Sequence, residues 1–447
     1  MRAAGEYLRD LGVRVAATDR DVSALRPWAD ANGVRVVDGS MPSLRADLLI
    51  HTAAVPPDHP AIVATAAPQT HVWSYPQWLG DVSRGRPCVA VAGTHGKTTT
   101  AAVLRTALGD ASFLIGGADR DSGRSGRAAG GPLVVEACEY RRHFLAMRPA
   151  AACLLAAEWD HPDAFDSAGD VREAMRQFRD CVAGPVIAHH SYGWPDRTFG
   201  TDSAANLRVT RDRRSLDAAF SLRVDGVAAG PFHVPNLGRH LWMNAAAAVA
   251  MALELGVAAD DVRRRVAAFA GVQRRLEVFD EGPITWVDDY AHHPTAVAAT
   301  LRECRRLAGG RRLVVAFEPH QASRLRAFET AFAGALSLAD EVFLAPVHAA
   351  REAPDGGRGL RALSDRLGPA ALVCRDLDHL AGLLQTRRAA TGAAVIAVLG
   401  AGQIGRLLDE RFPHLRDRRA IRGDHADGRL AGPLHVAEGR RPRAVPR

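Results

Sequence analysis

The sequence predicts an α/β protein built as three folded units followed by a basic tail. The 447 residues are 47% hydrophobic and 24% charged, core enough for about three domains. Short apolar runs rich in Val, Ile and Leu alternate with amphipathic stretches along most of the chain, the pattern of parallel strands joined by helices. That alternation breaks near residues 84–87 and again near 271. The expected units are therefore 1–86, 87–270 and 271–412, with 413–447, rich in Arg, Gly and Pro, expected to be a mobile tail.

In the first unit, residues 13–18 (VRVAAT), 34–37 (VRVV) and 46–53 (ADLLIHTA) read as short buried strands between helices, and RGRP at 84–87 reads as a linker. The second unit opens with a strand at 88–92 (CVAVA) that runs straight into GTHGKTTT and an apolar helix over 98–108. Further strands are expected at 132–137 and 150–156, then a small antiparallel region over 205–234 and an Ala-rich helix over 244–255. In the third unit ITWVDD, RRLVVAF, EVFLAPV, ALVCRD and AAVIAVLG are five apolar strands with helices between most of them, a doubly wound pattern.

Composition excludes several classes. No run of about 18 apolar residues exists, so a transmembrane helix is not expected, and the charged N-terminus lacks the apolar stretch of a secretory signal. A cytoplasmic protein without membrane insertion is the expectation. The six cysteines are far apart with no C-x-x-C pair, against a cysteine zinc site or a disulfide framework. The formal charge of +7 is concentrated in the tail: from Arg416 onward there are nine arginines against four acids. The body is close to neutral, which speaks against nucleic acid as a partner.

Gly93-Thr94-His95-Gly96-Lys97-Thr98-Thr99 closes a strand and opens a helix, the context a phosphate loop requires. Small residues let backbone N–H groups wrap phosphates, the helix N-terminus adds positive potential, the lysine reaches the outer phosphates and a hydroxyl reaches Mg²⁺. Only two residues separate the glycines, fewer than in the commonest form of such loops. Lys97 is the single lysine among 57 Lys and Arg residues, so a compact ammonium stands where a guanidinium would not serve. Glu136 at a strand end and His161 after another strand are candidate metal ligands, against the plainer readings of a solvated acid and a loop histidine.

Asp288-Asp289-Tyr290-Ala291-His292-His293-Pro294-Thr295 follows a strand and so lies at the carboxyl edge of its sheet, where open α/β sheets bind ligands. A polar turn capped by proline is the plainer alternative. Glu318-Pro319-His320-Gln321-Ala322-Ser323-Arg324 ends the next strand on the same edge, and Arg324 and Arg326 could grip a carboxylate. Gly400-Ala401-Gly402-Gln403-Ile404-Gly405 matches a dinucleotide fingerprint, but only one helix and the tail follow it. It reads as a tight turn closing the last sheet.

GTHGKTTT, Glu136 with His161, GRHLWMN, GVQRRLE, DDYAHHPT, FEPHQASR and GAGQIG stand in the order and rough spacing of the Mur ligases. Over about residues 1–412 the chain resembles that family, and within it the alanine-adding branch. The resemblance implies a Rossmann-like UDP-sugar domain, a central P-loop-type ATPase domain and a Rossmann-like C-terminal domain. It implies ATP-dependent ligation of L-alanine to the lactyl carboxylate of UDP-N-acetylmuramate through an acyl phosphate, in peptidoglycan biosynthesis, by a monomer or homodimer. It assigns Gly93, Thr94, His95, Gly96, Lys97, Thr98, Thr99 and Asn244 to the nucleotide, with Arg275 and Asp288 reaching ATP from the C-terminal domain. Thr98 and Glu136 would hold Mg²⁺ (Mn²⁺ the alternative), with His161 at a second metal position. Lys97, His293, His320 and Arg324 would serve catalysis, the last three on the substrate side with Tyr290 nearby. Several later members of the family use a carbamylated lysine as a metal bridge, and a chain with no second lysine favours the alanine-adding branch.

The chain departs from the family pattern in places. Met1 aligns just after the family's opening strand and Gly-rich turn, so the expectation is a start site placed too late, the alternative being loss of part of the sugar-nucleotide site. Cys138 replaces an acid, Ala156 an asparagine before the Asp-His pair, Leu241 the asparagine of a His-Asn pair, and Ala296 a glutamate. Two alternatives follow: a ligase that recycles a whole tripeptide onto UDP-N-acetylmuramate, which usually has a different loop at FEPHQASR, and a catalytically weak nucleotide-binding relative.

Overall fold

The computed structural model describes residues 1–417 except 20, 38–44, 57, 67, 195, 213–214, 216, 351, 354, 391 and 393. Of the tail expected over 413–447, Pro413 is in a turn, His414–Asp417 is a short helix and residues 418–447 lie outside the described residues.

The central sheet has ten strands among the described residues. Its parallel body runs in the order Leu207–Arg211, Arg197–Gly200, Val186–His189, Ala151–Leu154, Cys88–Ala92, Leu133–Glu136, Ser112–Leu114. Antiparallel strands extend both edges: Ala218–Val224 and Val227–Val234 on one side, Gly126–Arg127 on the other. The antiparallel region expected over 205–234 is thus an extension of the main sheet. Cys88–Ala92 is buried along its whole length because apolar clusters cover both faces, as parallel sheets require. On one face lie the helices Lys97–Leu108 and Trp242–Glu254. Residues 245–252 of the second helix are all buried, and six of the eight are alanine, small enough to let two helices and a sheet approach closely.

Among the described residues the C-terminal sheet has six strands, in the order Glu277–Glu281, Ile284–Asp289, Ala394–Gly400, Arg312–Glu318, Glu341–Leu344, Ala371–Val373. The last five are parallel and correspond to the five apolar runs. Glu277–Glu281 (EVFDE) adds an antiparallel edge strand that its acidic sequence does not advertise.

Among its described residues the first unit contains two separate parallel pairs, Ala16–Ala17 with Arg35–Val36 and Leu48–His51 with His71–Ser74. Its first helix, Arg2–Asp10, packs on the edge of the central sheet. Buried Glu6 accepts hydrogen bonds from the N–H of Ser125 (2.8 Å) and Gly126 (2.7 Å) and from Trp28 Nε1 (2.7 Å). The expected linker at 84–87 is corrected: Arg84 and Gly85 belong to the helix Tyr75–Gly85, and Arg86 donates to the carbonyl of Ala129 (2.9 Å) and to Tyr7 Oη (3.2 Å). The arginine side chain anchors a segment whose Gly and Pro suggested freedom.

Candidate active site

Cys88–Ala92 lies between Leu133–Glu136 and Ala151–Leu154, all parallel, so the loops leaving their carboxyl ends meet at one place. Residues 93–97, 136–140 and 155–161 form that meeting point. The phosphate loop turns tightly there. Gly93 has φ +138°, and a Cβ on it would stand 2.6 Å from Leu155 Cβ; Gly96 has φ +79°, and a Cβ would stand 1.9 Å from Asn244 Nδ2. Asn244 therefore lies directly over the loop and also donates to Thr100 Oγ1 (3.3 Å).

Lys97 Nζ donates to the carbonyls of Gly93 (2.6 Å) and Thr94 (3.1 Å) and to Glu139 Oε1 (3.1 Å), with Glu139 Oε2 at 2.8 Å. The pair is buried, the side chains being 12% and 2% exposed. Burial opposes the ammonium charge, but Glu139, with Cys138 and Glu136, more than offsets it and raises the Lys97 pKa. Thr98 Oγ1 donates to Glu136 Oε2 (2.7 Å) and accepts from Arg275 Nη2 (3.1 Å), while the Gly116 N–H donates to Glu136 Oε2 (2.7 Å). A hydroxyl and a carboxylate converging beside a lysine are hard oxygen donors, and they fit Mg²⁺. His161 is not drawn into that pair. Its Nε2 lies 3.8 Å from both Glu139 Oε1 and Asp160 Oδ2, on the other side of the lysine's partner.

The C-terminal sheet brings its own strand ends to the same place. Arg324 is 1% exposed and spans the gap between the two sheets. Its Nε donates to Asp160 Oδ1 (2.8 Å), Nη1 to Gln321 Oε1 (3.0 Å) and the His320 carbonyl (3.3 Å), and Nη2 lies 3.3 Å from His161 Nδ1. Burial alone would raise the Asp160 pKa, but Arg324 and then His161 hold it well below the usual carboxylate range. His320 Nδ1 is 3.1 Å from Arg324 Nη1. His293 is 4% exposed and caps the helix Pro294–Ala308, accepting from the Thr295 N–H (3.3 Å). Burial, and then its neighbour His95 at a ring separation of 4.6 Å, lower its pKa to about 4. Glu158 accepts from Thr295 Oγ1 (2.8 Å), and His95 beside it holds its pKa at about 2 against the desolvation penalty.

The structure thus brings together the phosphate loop, Glu136, Asn244, His161, Arg275, His293, His320 and Arg324. Arg275 also stacks over Tyr290 at 4.9 Å. Asp288 is placed differently: it is 2% exposed and accepts from Arg274 Nε (3.1 Å), beside the third unit's own edge strand. The pairing of Arg326 with Arg324 is also corrected, since Arg326 is exposed on the far side of its helical turn. At GAGQIG, Glu318 accepts from the N–H groups of Gln403 (3.2 Å) and Ile404 (2.9 Å), so a carboxylate occupies the helix start that a dinucleotide phosphate would need. Glu139, Glu158, Asp160 and Gln321 were not among the residues singled out. Their one signal was position just past an apolar strand, which many polar residues share.

The departures fall at distinct depths. Cys138 is exposed between Glu136 and Glu139, and Ala156 acts through its carbonyl, which accepts from the Thr94 N–H (3.3 Å). Leu241 is the residue before the helix Trp242–Glu254, and Ala296 is half-buried against the C-terminal core. A cleft of about 710 Å³ opens beside Leu241, lined by Arg208, Arg211, Arg239, His240, Trp242 and Arg302 among others.

Residues 274–402 match the family model described as "Mur ligase, glutamate ligase domain". The chain is 37% identical over 382 residues to a UDP-N-acetylmuramate–L-alanine ligase of Kineococcus radiotolerans, covering 79% of this chain and 81% of the relative. Its fold is similar to the crystal structure of UDP-N-acetylmuramate-alanine ligase MurC from Thermotoga maritima, with a TM-score of 0.73, 24% identity and coverage of 91% and 95%. It is also similar to a murein peptide ligase from Psychrobacter arcticus, with a TM-score of 0.67, 23% identity and coverage of 91% and 94%. A phosphate loop facing a second sheet's histidines and arginine, in a chain this similar to its relative over four fifths of both lengths, leads to one conclusion: the chain belongs to the Mur ligase family.

Proposed function

We propose that the chain ligates L-alanine to the lactyl carboxylate of UDP-N-acetylmuramate at the expense of ATP. The observation that carries this reading is the facing pair of charge clusters: Lys97 with Thr98 and Glu136 on one sheet, and Arg324 with His320 on the other, joined through Asp160. In this reading 1–86 takes the UDP-sugar, 87–270 the ATP and 271–412 the amino acid, in the cytoplasm.

Each residue group has work suited to its chemistry. The N–H groups of residues 93–97 and the Lys97 ammonium hold the phosphates, and neutralising charge on a transferring phosphoryl group is most of what such an enzyme supplies. Lys97 must exchange Glu139 and two loop carbonyls for phosphate oxygens, which its flexible stem allows. Mg²⁺, held by Thr98 and Glu136, would supply further neutralisation. The lactyl carboxylate takes the γ-phosphoryl group, giving an acyl phosphate. The alanine amine then adds to the acyl carbon, and phosphate leaves. Arg324, fixed by four contacts, orients the amino acid's carboxylate with His320. His293, whose pKa of about 4 keeps it uncharged at neutral pH, lines the substrate side without adding positive charge. The cleft beside His240 and Trp242 gives the base of the nucleotide room to lie against an aromatic ring.

Coupled phosphate release from purified protein, ATP and UDP-N-acetylmuramate tests the proposal. Release should depend on L-alanine. Release with the tripeptide and not with alanine, or none with any acceptor, would overturn it.

A further inference from the structure

His95, Glu158 and His293 bring one ligand atom each to within 4.8 Å of one another. They come from the phosphate loop, the loop after Ala151–Leu154 and the loop after Ile284–Asp289, so two separate sheets build the cluster. The mechanism above gives none of the three side chains a proton to transfer or a phosphate to hold.

We propose that these three residues form a second cation site, of nitrogen-donor character, for an ion of the Zn²⁺ class. Nε2 of His293 is buried and makes no hydrogen bond, in a residue 96% buried, and Nε2 of His95 lies 3.4 Å from Glu158 Oε2. Buried ring nitrogens are ordinarily satisfied, so a buried histidine with an orphaned nitrogen, grouped with a second imidazole and a carboxylate, points to a ligand among them. Two imidazoles and a carboxylate are the donor set of three-ligand zinc sites that keep a fourth position open. Mg²⁺ prefers oxygen and belongs at Thr98 and Glu136. Bonds of about 2.1 Å in tetrahedral geometry place ligand atoms about 3.4 Å apart. His95 Nε2 and Glu158 Oε2 already stand at 3.4 Å, and the remaining separations close by rotation about side-chain bonds. Glu158 is oriented by the Thr295 hydroxyl, the kind of outer support that ligating carboxylates receive. In neutral His293 the Thr295 N–H bond keeps the ring proton on Nε2. An ion there moves that proton to Nδ1 and replaces this long 3.3 Å bond by a coordinate bond.

Such an ion ties the phosphate loop to the C-terminal sheet, so it holds the two halves of the site together independently of substrate. The test is titration of the whole chain, without ATP or Mg²⁺, with Co²⁺ followed by visible absorption, then displacement with Zn²⁺. One Co²⁺ per chain should give the bands of a four- or five-coordinate N/O site, bleached by one Zn²⁺. Glu158→Gln and His95→Gln should each weaken binding by about tenfold or more, and Glu136→Gln should leave it unchanged. Glu158 is partly exposed, so its variant keeps the fold and decides the matter even if His95→Gln destabilises the loop. Absence of visible bands, bands unaffected by Glu158→Gln, or bands lost in Glu136→Gln would each overturn the site. Failure here leaves the ligase reading untouched, because that reading is tested by phosphate release.

Discussion

Replacing Lys97 by alanine separates the two roles the structure gives it. The ammonium is 12% exposed, and its partner Glu139 is 2% exposed at 2.8 Å. A surface ion pair contributes at most about 1 kcal/mol, but removing one member of a buried pair costs about 3–5 kcal/mol because the other charge is stranded. Lys97→Ala should therefore lower the stability of the central domain by about 3–5 kcal/mol in urea unfolding. Adding Glu139→Gln removes the stranded carboxylate and should recover at least about 2 kcal/mol. Activity should follow a different rule. Losing one preorganised charge on a transferring phosphoryl group costs about 10²–10³ in kcat, and the double variant should stay as inactive as the single one. A Lys97→Ala protein within about 1 kcal/mol of the parent would refute the buried-pair reasoning. One within a few-fold of its activity would refute the assignment of the phosphate loop.

Other expectations follow from the same geometry. Unfolded histidine binds a proton below pH about 6.5, whereas folded His293 stays neutral until about pH 4. Stability should therefore fall as pH drops through that window, by about 3 kcal/mol from this group, and His293→Gln should flatten the slope measured by urea unfolding at stepped pH. Gly96→Ala forces a Cβ onto Asn244 at a positive φ, and should abolish nucleotide binding in a fluorescent-analogue titration. The same change at Gly12, with positive φ but open surroundings, should cost only about 1 kcal/mol. Arg324→Lys keeps the charge but loses the fork that reaches Asp160 and Gln321 together. The KM for the amino acid should rise by at least about tenfold while nucleotide affinity is unchanged.

Much of the fold is legible in the sequence because buried parallel strands are written as continuous apolar runs. CVAVA, LVVE, RLVVAFE and AVIAVLG all became strands for that reason. Strands without such a run escaped. RTFG at Arg197–Gly200 and EVFDE at Glu277–Glu281 are specified by their neighbours' unpaired edges rather than by their own residues. The phosphate loop was legible because glycine, lysine and threonine at a strand-to-helix turn have few other uses. The bridge from Asp160 to Arg324 was not, because it joins residues 164 positions apart through two sheets whose relative placement no local pattern encodes. RGRP misled for a related reason: Arg86 is tied down by the carbonyl of Ala129, a tertiary contact.

The central claim is that this chain activates a carboxylate as an acyl phosphate. The direct measurement uses UDP-N-acetylmuramate labelled with ¹⁸O in the lactyl carboxylate, with ATP and L-alanine, and mass analysis of the phosphate released. Attack of the carboxylate on the γ-phosphorus followed by expulsion of phosphate carries one labelled oxygen into each phosphate formed. Labelled phosphate in step with amide product is the result predicted; phosphate that stays unlabelled while amide accumulates would contradict the account.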